Sequence, residues 1–316
     1  MRLAILDDYE NVALELADWD SLGHGIQIDV YRDNIKEENI LADRLFPYQI
    51  LVIMRERTSF PRSLIERLSN LKLLVTTGNR NLAIDLNACK QKGVTVCGTD
   101  SSKTAAAELA WALILASLRR IPQHDRAVRE GRWADAIGSG LAGKVLGVLG
   151  LGKLGAQLAR IGLAFGMNVI AWSQNLTPQR AAEVGAVRVE KSEFFATADI
   201  ISIHVVLSER TRGLVGEHEI GLMKSGAYLI NTSRGPVIEE KALIEALMKN
   251  RIAGAGLDVF EMEPLPSGHP FLTLSNTVLT PHIGYVTRDG FRTYFVQAFE
   301  DVSAWLSGKP VRVLTP

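Results

Sequence analysis

Three glycines at one strand-to-helix junction constrain this chain more than any other feature. Gly150, Gly152 and Gly155 lie in "GKVLGVLGLGKLGAQLARIGLAFG" at the spacing G-x-G-x-x-G. Spacing alone is weak, since the chain holds 27 glycines and an ordinary tight turn would account for three of them. Context gives it force: an apolar strand at 145–149 leads in, a helix follows, and a second strand, "NVIAW", comes where a βαβ unit requires one. In such a unit Gly150 permits the turn, Gly152 lets backbone approach a pyrophosphate, and Gly155 allows helix and strand to pack closely. The helix start, with Lys153 and Leu154, offers unpaired N–H groups to an anion. The junction predicts a dinucleotide site.

The remaining chain repeats the same alternation. Short β-rich runs such as "LAILDD", "QILVIM" and "LKLLVTTG" precede residue 100, and "DIISIHVV", "AYLINTS", "AGAGLDVF" and "TVLTPHIG" follow the glycine motif, with amphipathic segments between. This predicts an α/β fold of two Rossmann-like, doubly wound parallel-sheet domains with a cleft between them. A helix expected at 103–119, started near Ser101 or Ser102 and stopped before Pro122, marks the boundary. The tail from about Thr287 is helical in spacing but too short to be a domain, and is expected to pack on the first one. We therefore expect a first domain of 1–99 plus 287–316 and a dinucleotide domain of 100–286. At 316 residues two domains of ordinary size fit.

Lys+Arg and Asp+Glu balance at 35 each, which gives no reason to expect nucleic acid or a membrane as partner. The longest apolar run, Thr104 to Leu118, contains Glu108 and falls short of the roughly 20 residues that span a bilayer. Only Cys89 and Cys97 occur, without metal spacing or disulfide density, and "MRLAILDDYE" is neither signal nor transit peptide. A reducing, cytoplasmic setting is the expectation, with no metal.

After "NVIAW" a carboxylate is expected to receive the ribose hydroxyls of NAD. Here Ser173, Gln174 and Asn175 stand there, and the nearest arginine is Arg180. No fixed negative charge repels a 2′-phosphate, so the reading is NAD or NADP, leaning to NADP or dual use.

Three charged residues fall beyond strand ends, where ligands of open parallel sheets sit. Arg234 follows "AYLINTS", Glu263 follows "AGAGLDVF", and His282 follows "TVLTP". Each alone reads as a turn arginine, a solvated acid or a structural histidine. Together they suit hydride transfer to a 2-oxo acid: a guanidinium fork for the carboxylate and ketone, a histidine as proton donor, and an acid that orients the ring and favours imidazolium. Arg55 or Arg57, after "ILVIM", is a second candidate substrate contact, with an exposed charge as the alternative for at least one.

"GLGKLG", "NTSRGP", "GLDVFEMEP" and "TPHIG", in this order, resemble the D-isomer-specific 2-hydroxyacid dehydrogenases, which include glyoxylate/hydroxypyruvate reductases and phosphoglycerate dehydrogenases. The resemblance extends over nearly the whole chain. It implies substrate binding by Arg234, acid/base work by His282 and support by Glu263. It also implies that Asp258, Thr232, Ser233 and Gly284 line the nicotinamide region, that Thr104 and Thr211 are near cofactor, that both chain ends build a flavodoxin-like substrate domain, and that the chain is a homodimer joined through 103–119 and "RWADAIGSG". Two departures stand out. The family's Gly-rich substrate loop is "GNRNLAID", putting Asn79 and Arg80 where a small flexible pair is usual, and Val206 replaces a usual proline. Ending at Pro316, the chain is expected to lack the regulatory domain many phosphoglycerate dehydrogenases carry, which makes serine-pathway control less expected. Alternatives left open are a dinucleotide-sensing, corepressor-like interaction protein and a dehydrogenase of an unusual reductant such as phosphite. Also open are the substrate's identity and whether Tyr285, Phe291, Tyr294 or Phe295 shape its pocket.

Overall fold

The computed structural model describes residues 1–134 and 136–316. The chain separates into two compact units, residues 1–102 with 286–316 and residues 103–285.

The first unit is built on five parallel strands: β1 (Arg2–Ile5), β2 (Gln27–Val30), β3 (Ile50–Ile53), β4 (Leu73–Thr76) and β5 (Thr95–Gly98), in the order β2-β1-β3-β4-β5. "ILVI" and "LLVT" are buried at every residue, as strands covered on both faces must be. Each such Leu, Ile or Val contributes about 1.5–3 kcal/mol over its exposed state, more than an exposed ion pair supplies. The helix Arg288–Leu306 belongs to this unit. Thr287 caps it by accepting from the Gly290 N–H, Phe291, Tyr294 and Phe295 are buried, and Phe299 meets Trp19 edge-on at 6.1 Å. Beyond it the chain runs along β5, with the Leu314 N–H donating to the Val96 carbonyl at 2.8 Å.

The second unit has seven parallel strands: β6 (Val145–Leu149), β7 (Asn168–Trp172), β8 (Val187–Arg188), β9 (Ile200–Ile203), β10 (Tyr228–Asn231), β11 (Gly254–Leu257) and β12 (Thr277–Leu279). Their order, β12-β11-β10-β9-β6-β7-β8, reverses direction between β6 and β9. That switch point is where doubly wound sheets take their ligands. The helix starts at Ala105, later than the serines expected to cap it, and ends at Leu118. Pro122 does not end helical structure there. Arg120 takes a left-handed conformation (φ 52°) and a second helix, Ile121–Arg129, opens with the proline in its first turn, where a missing N–H costs nothing. Among the described residues no helix is long and apolar enough to cross a membrane.

Candidate active site

Strand register sets the site. Leu149 pairs with both Trp172 and Ile203, Ile203 with Asn231, Asn231 with Leu257, and Leu257 with Leu279. The next residues, Gly150, Ser173, His204, Thr232, Asp258 and Thr280, therefore form one row along the carboxyl edge of the sheet. Motifs scattered over 130 residues of sequence become neighbours on one edge because every strand is parallel and in step.

At the switch point Gly150 has φ +99°, and a Cβ there would lie 2.8 Å from Val205 and 2.9 Å from the His204 backbone. Gly155 packs closer still, since its Cβ would stand 2.1 Å from the Gly150 carbonyl oxygen. Gly152 differs: a Cβ there would meet nothing within 4 Å. A side chain at Gly152 would obstruct only something arriving from outside, as a pyrophosphate would at the start of helix Lys153–Ala164. Thr232 Oγ1 is buried with no hydrogen-bond partner among the described residues, a second sign that this edge is built around a polar ligand. His204 lies just past β9. Burial lowers its imidazole to about 4 and keeps it neutral, with Nε2 2.9 Å from Ser202 Oγ.

Arg234 sits on a turn made by its neighbours. Asn231, fully buried, uses both ends of its carboxamide: Nδ2 donates to the Arg234 carbonyl (2.9 Å) and Oδ1 accepts from the Ser233 N–H (3.0 Å). Ser233 Oγ donates to the Val205 carbonyl at 2.5 Å. Gly235 is required because a Cβ would lie 2.0 Å from the Phe260 carbonyl carbon, so the arginine turn packs directly on the chain that leads to Glu263.

His282 is held in a left-handed conformation (φ 57°), unusual for a non-glycine residue. Asp258 accounts for it. Its buried carboxylate accepts from Thr280 Oγ1 (2.6 Å), the Ile283 N–H (2.8 Å) and the Gly284 N–H (2.9 Å), clamping the turn on both sides of the histidine. Burial pushes this carboxyl above its ordinary value despite those donors. His282 Nδ1 stands 2.6 Å from Glu263 Oε2, and Glu263 Oε1 accepts from the Phe260 N–H at 2.9 Å. Burial alone would raise the Glu263 carboxyl. The hydrogen bonds from His282 and Phe260 and the charges of His282 and Arg234 outweigh it, so the group lies below its ordinary value and stays ionised. Structure thus brings Glu263 and His282 into contact, with Arg234 near enough to act on Glu263 electrostatically.

The other expected cofactor residues are placed with less definition. Ser173 is half-buried and Gln174 exposed beyond β7, and Arg180 pairs with Glu183. Thr104 directly precedes helix Ala105–Leu118. Thr211 turns its hydroxyl to the carbonyl of exposed Val206 (2.7 Å), closing the loop where the resemblance expects proline. Tyr285 meets the His282 ring edge-on at 5.6 Å.

In the first unit, Asn79 and Arg80 are exposed and line a depression of about 490 Å³ with the C-terminal residues Leu314 and Pro316. Arg55 has φ +49° and lies against Gly78, where a Cβ would meet its Nη1 at 2.5 Å. Its guanidinium also bonds the buried Tyr294 hydroxyl and faces Glu56 at 3.7 Å. Arg57 is engaged differently: its guanidinium donates to both oxygens of Glu10 (2.8 and 3.1 Å) and to the Asp7 carbonyl (2.6 Å), and covers the Tyr9 ring. That arrangement makes Arg57 a clasp of the fold. Phe291 and Phe295 are core residues of the unit.

Residues 111–284 match the family model described as D-isomer specific 2-hydroxyacid dehydrogenase, NAD binding domain. The chain belongs to this family. Among its relatives, D-3-phosphoglycerate dehydrogenase of Archaeoglobus fulgidus is 36% identical over 292 residues, covering 92% of this chain and 55% of the relative. Glyoxylate reductase of Thermococcus litoralis is 41% identical over 274 residues, covering 83% and 82%. The crystal structure of a phosphoglycerate oxidoreductase from Vibrio cholerae O395 superposes with a TM-score of 0.92 at 38% identity, covering 98% of this chain and 99% of that one. The chain spans about half the length of the phosphoglycerate dehydrogenases it matches, 55% and 54% in two archaeal relatives.

Sequence reasoning about this family member missed Asn231, Thr280 and Asn81, whose side chains build the turns that carry the functional groups. Asn81 Nδ2 donates to the Arg55 carbonyl at 2.6 Å and to Thr76 Oγ1 at 2.9 Å. For Asn231 the available signal was its place three residues before a strand-end charge, since an Asn carboxamide closes such turns.

Proposed function

We propose that this chain is a nicotinamide-dependent reductase of small 2-oxo acids, giving D-2-hydroxy acids, with glyoxylate and hydroxypyruvate as the first substrates to try. The observation that carries the reading is the 2.6 Å contact of ionised Glu263 with His282 Nδ1, beside a dinucleotide-type glycine turn on the same sheet edge.

In this reading Glu263 stays ionised, accepts a hydrogen bond from Nδ1–H and fixes the ring, leaving Nε2 to carry a proton to the substrate ketone oxygen. Arg234 holds the carboxylate and polarises the carbonyl. Bound nicotinamide supplies the hydride. The Gly150 to Gly155 turn, with Lys153 and Leu154, receives the pyrophosphate, while Thr104, Thr211, Thr232, Ser233 and Gly284 border the rest of the nucleotide. Asp258 acts by holding the His282 turn. From the first unit Asn79, Arg80 and Arg55 are taken as substrate contacts, and Arg57 is set aside as structural. The absence of a carboxylate after β7 supports NADP or dual use, although Arg180, the next arginine in sequence, is paired with Glu183. We also place the protein in the cytoplasm as a homodimer. Exposed Trp133, Ile137 and Val128 support the dimer; Asp135, within the expected contact segment 132–140, lies outside the described residues.

The test is turnover of glyoxylate, hydroxypyruvate, pyruvate, phenylpyruvate and larger sugar-derived oxo acids with NADH and with NADPH, plus phosphite with the oxidised nucleotides. Reduction of at least one oxo acid, lost in His282→Ala while fluorescence titration shows nucleotide still bound, is expected. Nucleotide binding with no turnover of any compound would favour an interaction protein.

A further inference from the structure

Glu263 stands in an irregular loop, 259–269, most of whose residues after 260 are exposed. Such a loop would not by itself hold a carboxylate at a fixed place beside a histidine. One side chain outside the loop ties it down at two points. Glu240, the first residue of helix Glu240–Met248, accepts from the Glu261 N–H through Oε2 (3.2 Å), and its Oε1 lies 3.0 Å from His269 Nε2. His269 Nδ1 accepts from the Phe271 N–H at 3.3 Å, which leaves Nε2 as the nitrogen that carries hydrogen and donates to Glu240. The ring is 13% exposed and packs at 5.1 Å, tilted by 40°, on Phe271, itself buried against Phe260. Thus one carboxylate grips the loop two residues before Glu263 and six after it.

Glu240 is also well placed to coordinate the loop with Arg234. It follows the arginine by six positions, in the same segment whose Gly235 packs against the Phe260 and Glu261 backbone. Its charge at a helix N-terminus is favoured by the helix dipole. We infer that Glu240 and His269, a second Glu–His pair, are positioning residues that hold Glu263 against His282 and in register with Arg234. This rests on the proposed roles of Glu263 and His282.

The experiment compares the full chain with His269→Ala, His269→Gln, Glu263→Gln, the His269→Ala/Glu263→Gln double variant and His282→Ala, using the oxo acid and nucleotide that turn over best. His269→Ala should lower kcat about tenfold, the scale of a displaced catalytic group, with KM for the nucleotide unchanged. It should also move to lower pH the limb on which reduction fails as pH rises, because His282 loses the carboxylate that favours imidazolium; Arg234 and Asp258 are the other charges acting there. His269→Gln, which restores an N–H toward Glu240, should recover part of both losses and serves if the alanine variant does not fold. In the Glu263→Gln background, His269→Ala should add no further shift of the limb. A His269→Ala enzyme with unchanged kcat and pH limb, whatever its Tm, overturns the inference, as does a shift that adds in full to that of Glu263→Gln. Unchanged turnover in His282→Ala overturns the underlying reading, and this inference with it.

Discussion

Each unit of this protein ends a buried strand on an arginine and fixes the turn with an asparagine. In the second unit Asn231 donates to the carbonyl of Arg234; in the first, Asn81 donates to the carbonyl of Arg55. The two differ in how the turn is assembled. Arg234 has extended backbone (φ −147°), and its asparagine clamp lies within four consecutive residues, Asn231 to Arg234, with Ser233 Oγ on the Val205 carbonyl as a distant hydrogen bond of the turn. Arg55 sits at φ +49° and depends on two segments distant in sequence: residues 77–81, where the Thr77 hydroxyl accepts its N–H at 3.0 Å and Asn81 donates to its carbonyl, and Tyr294. A locally encoded turn can keep its geometry through changes elsewhere. On the proposed roles, a turn assembled from distant segments is where substrate preference would drift without loss of the chemistry.

The sharpest way to break this comparison is to remove each arginine. Arg234→Ala is expected to lower kcat/KM about 100-fold or more, with Arg234→Lys a poor substitute because a point charge cannot form the fork. Arg55→Ala should cost about tenfold, mainly in KM, and differ between oxo acids. Steady-state kinetics over the substrate panel checks both; equal losses on every substrate would erase the distinction. Removing the clamps comes next. Asn231→Ala and Asn81→Ala each leave buried polar groups unpaired, costing about 1–3 kcal/mol of stability, readable in denaturant melts. Only Asn231→Ala should also lower kcat.

The smallest effect concerns the units' buried acids. Asp258 has three donors, whereas Asp301, fully buried in helix Arg288–Leu306, has only Arg312 Nε on Oδ1 (2.9 Å) and no partner on Oδ2 among the described residues. Burial pushes the Asp301 carboxyl up to about 7, outweighing the Arg312 charge. Because the folded value lies above the unfolded one, the folded state binds the extra proton between about pH 4 and pH 7, and stability falls as pH rises through that window. Asp301→Asn should therefore lose less Tm than the parent between about pH 5 and pH 8, by a few degrees. An unchanged slope would show that Asp301 stays ionised, whereas Asp258→Asn should cost stability at both pH values.

These contrasts also show what was legible in the sequence. The glycine junction and the strand-end charges could be read because parallel pairing in register turns a linear order of motifs into a row on one edge. Residues that hold a turn from far along the chain, such as Asn81 on Arg55 and Thr280 on Asp258, carry no such signal, since the groups they hold lie 26 and 22 positions away. For the same reason Arg55 and Arg57, two residues apart in sequence, could not be separated: Glu10 and Tyr9 engage one, Gly78 and Tyr294 the other. Pro122 misled only about the helix that begins beside it, because proline ends one helix and opens the next with equal ease.

The central claim is that Arg234, Glu263 and His282 make this chain a D-specific reductase. It is tested most directly by following nucleotide oxidation and product chirality with hydroxypyruvate and other prochiral 2-oxo acids, for the parent chain beside His282→Ala. The account predicts D-2-hydroxy acid alone from the parent and at least 100-fold slower formation in the variant. An L product, or a His282→Ala enzyme as fast as its parent, would contradict it.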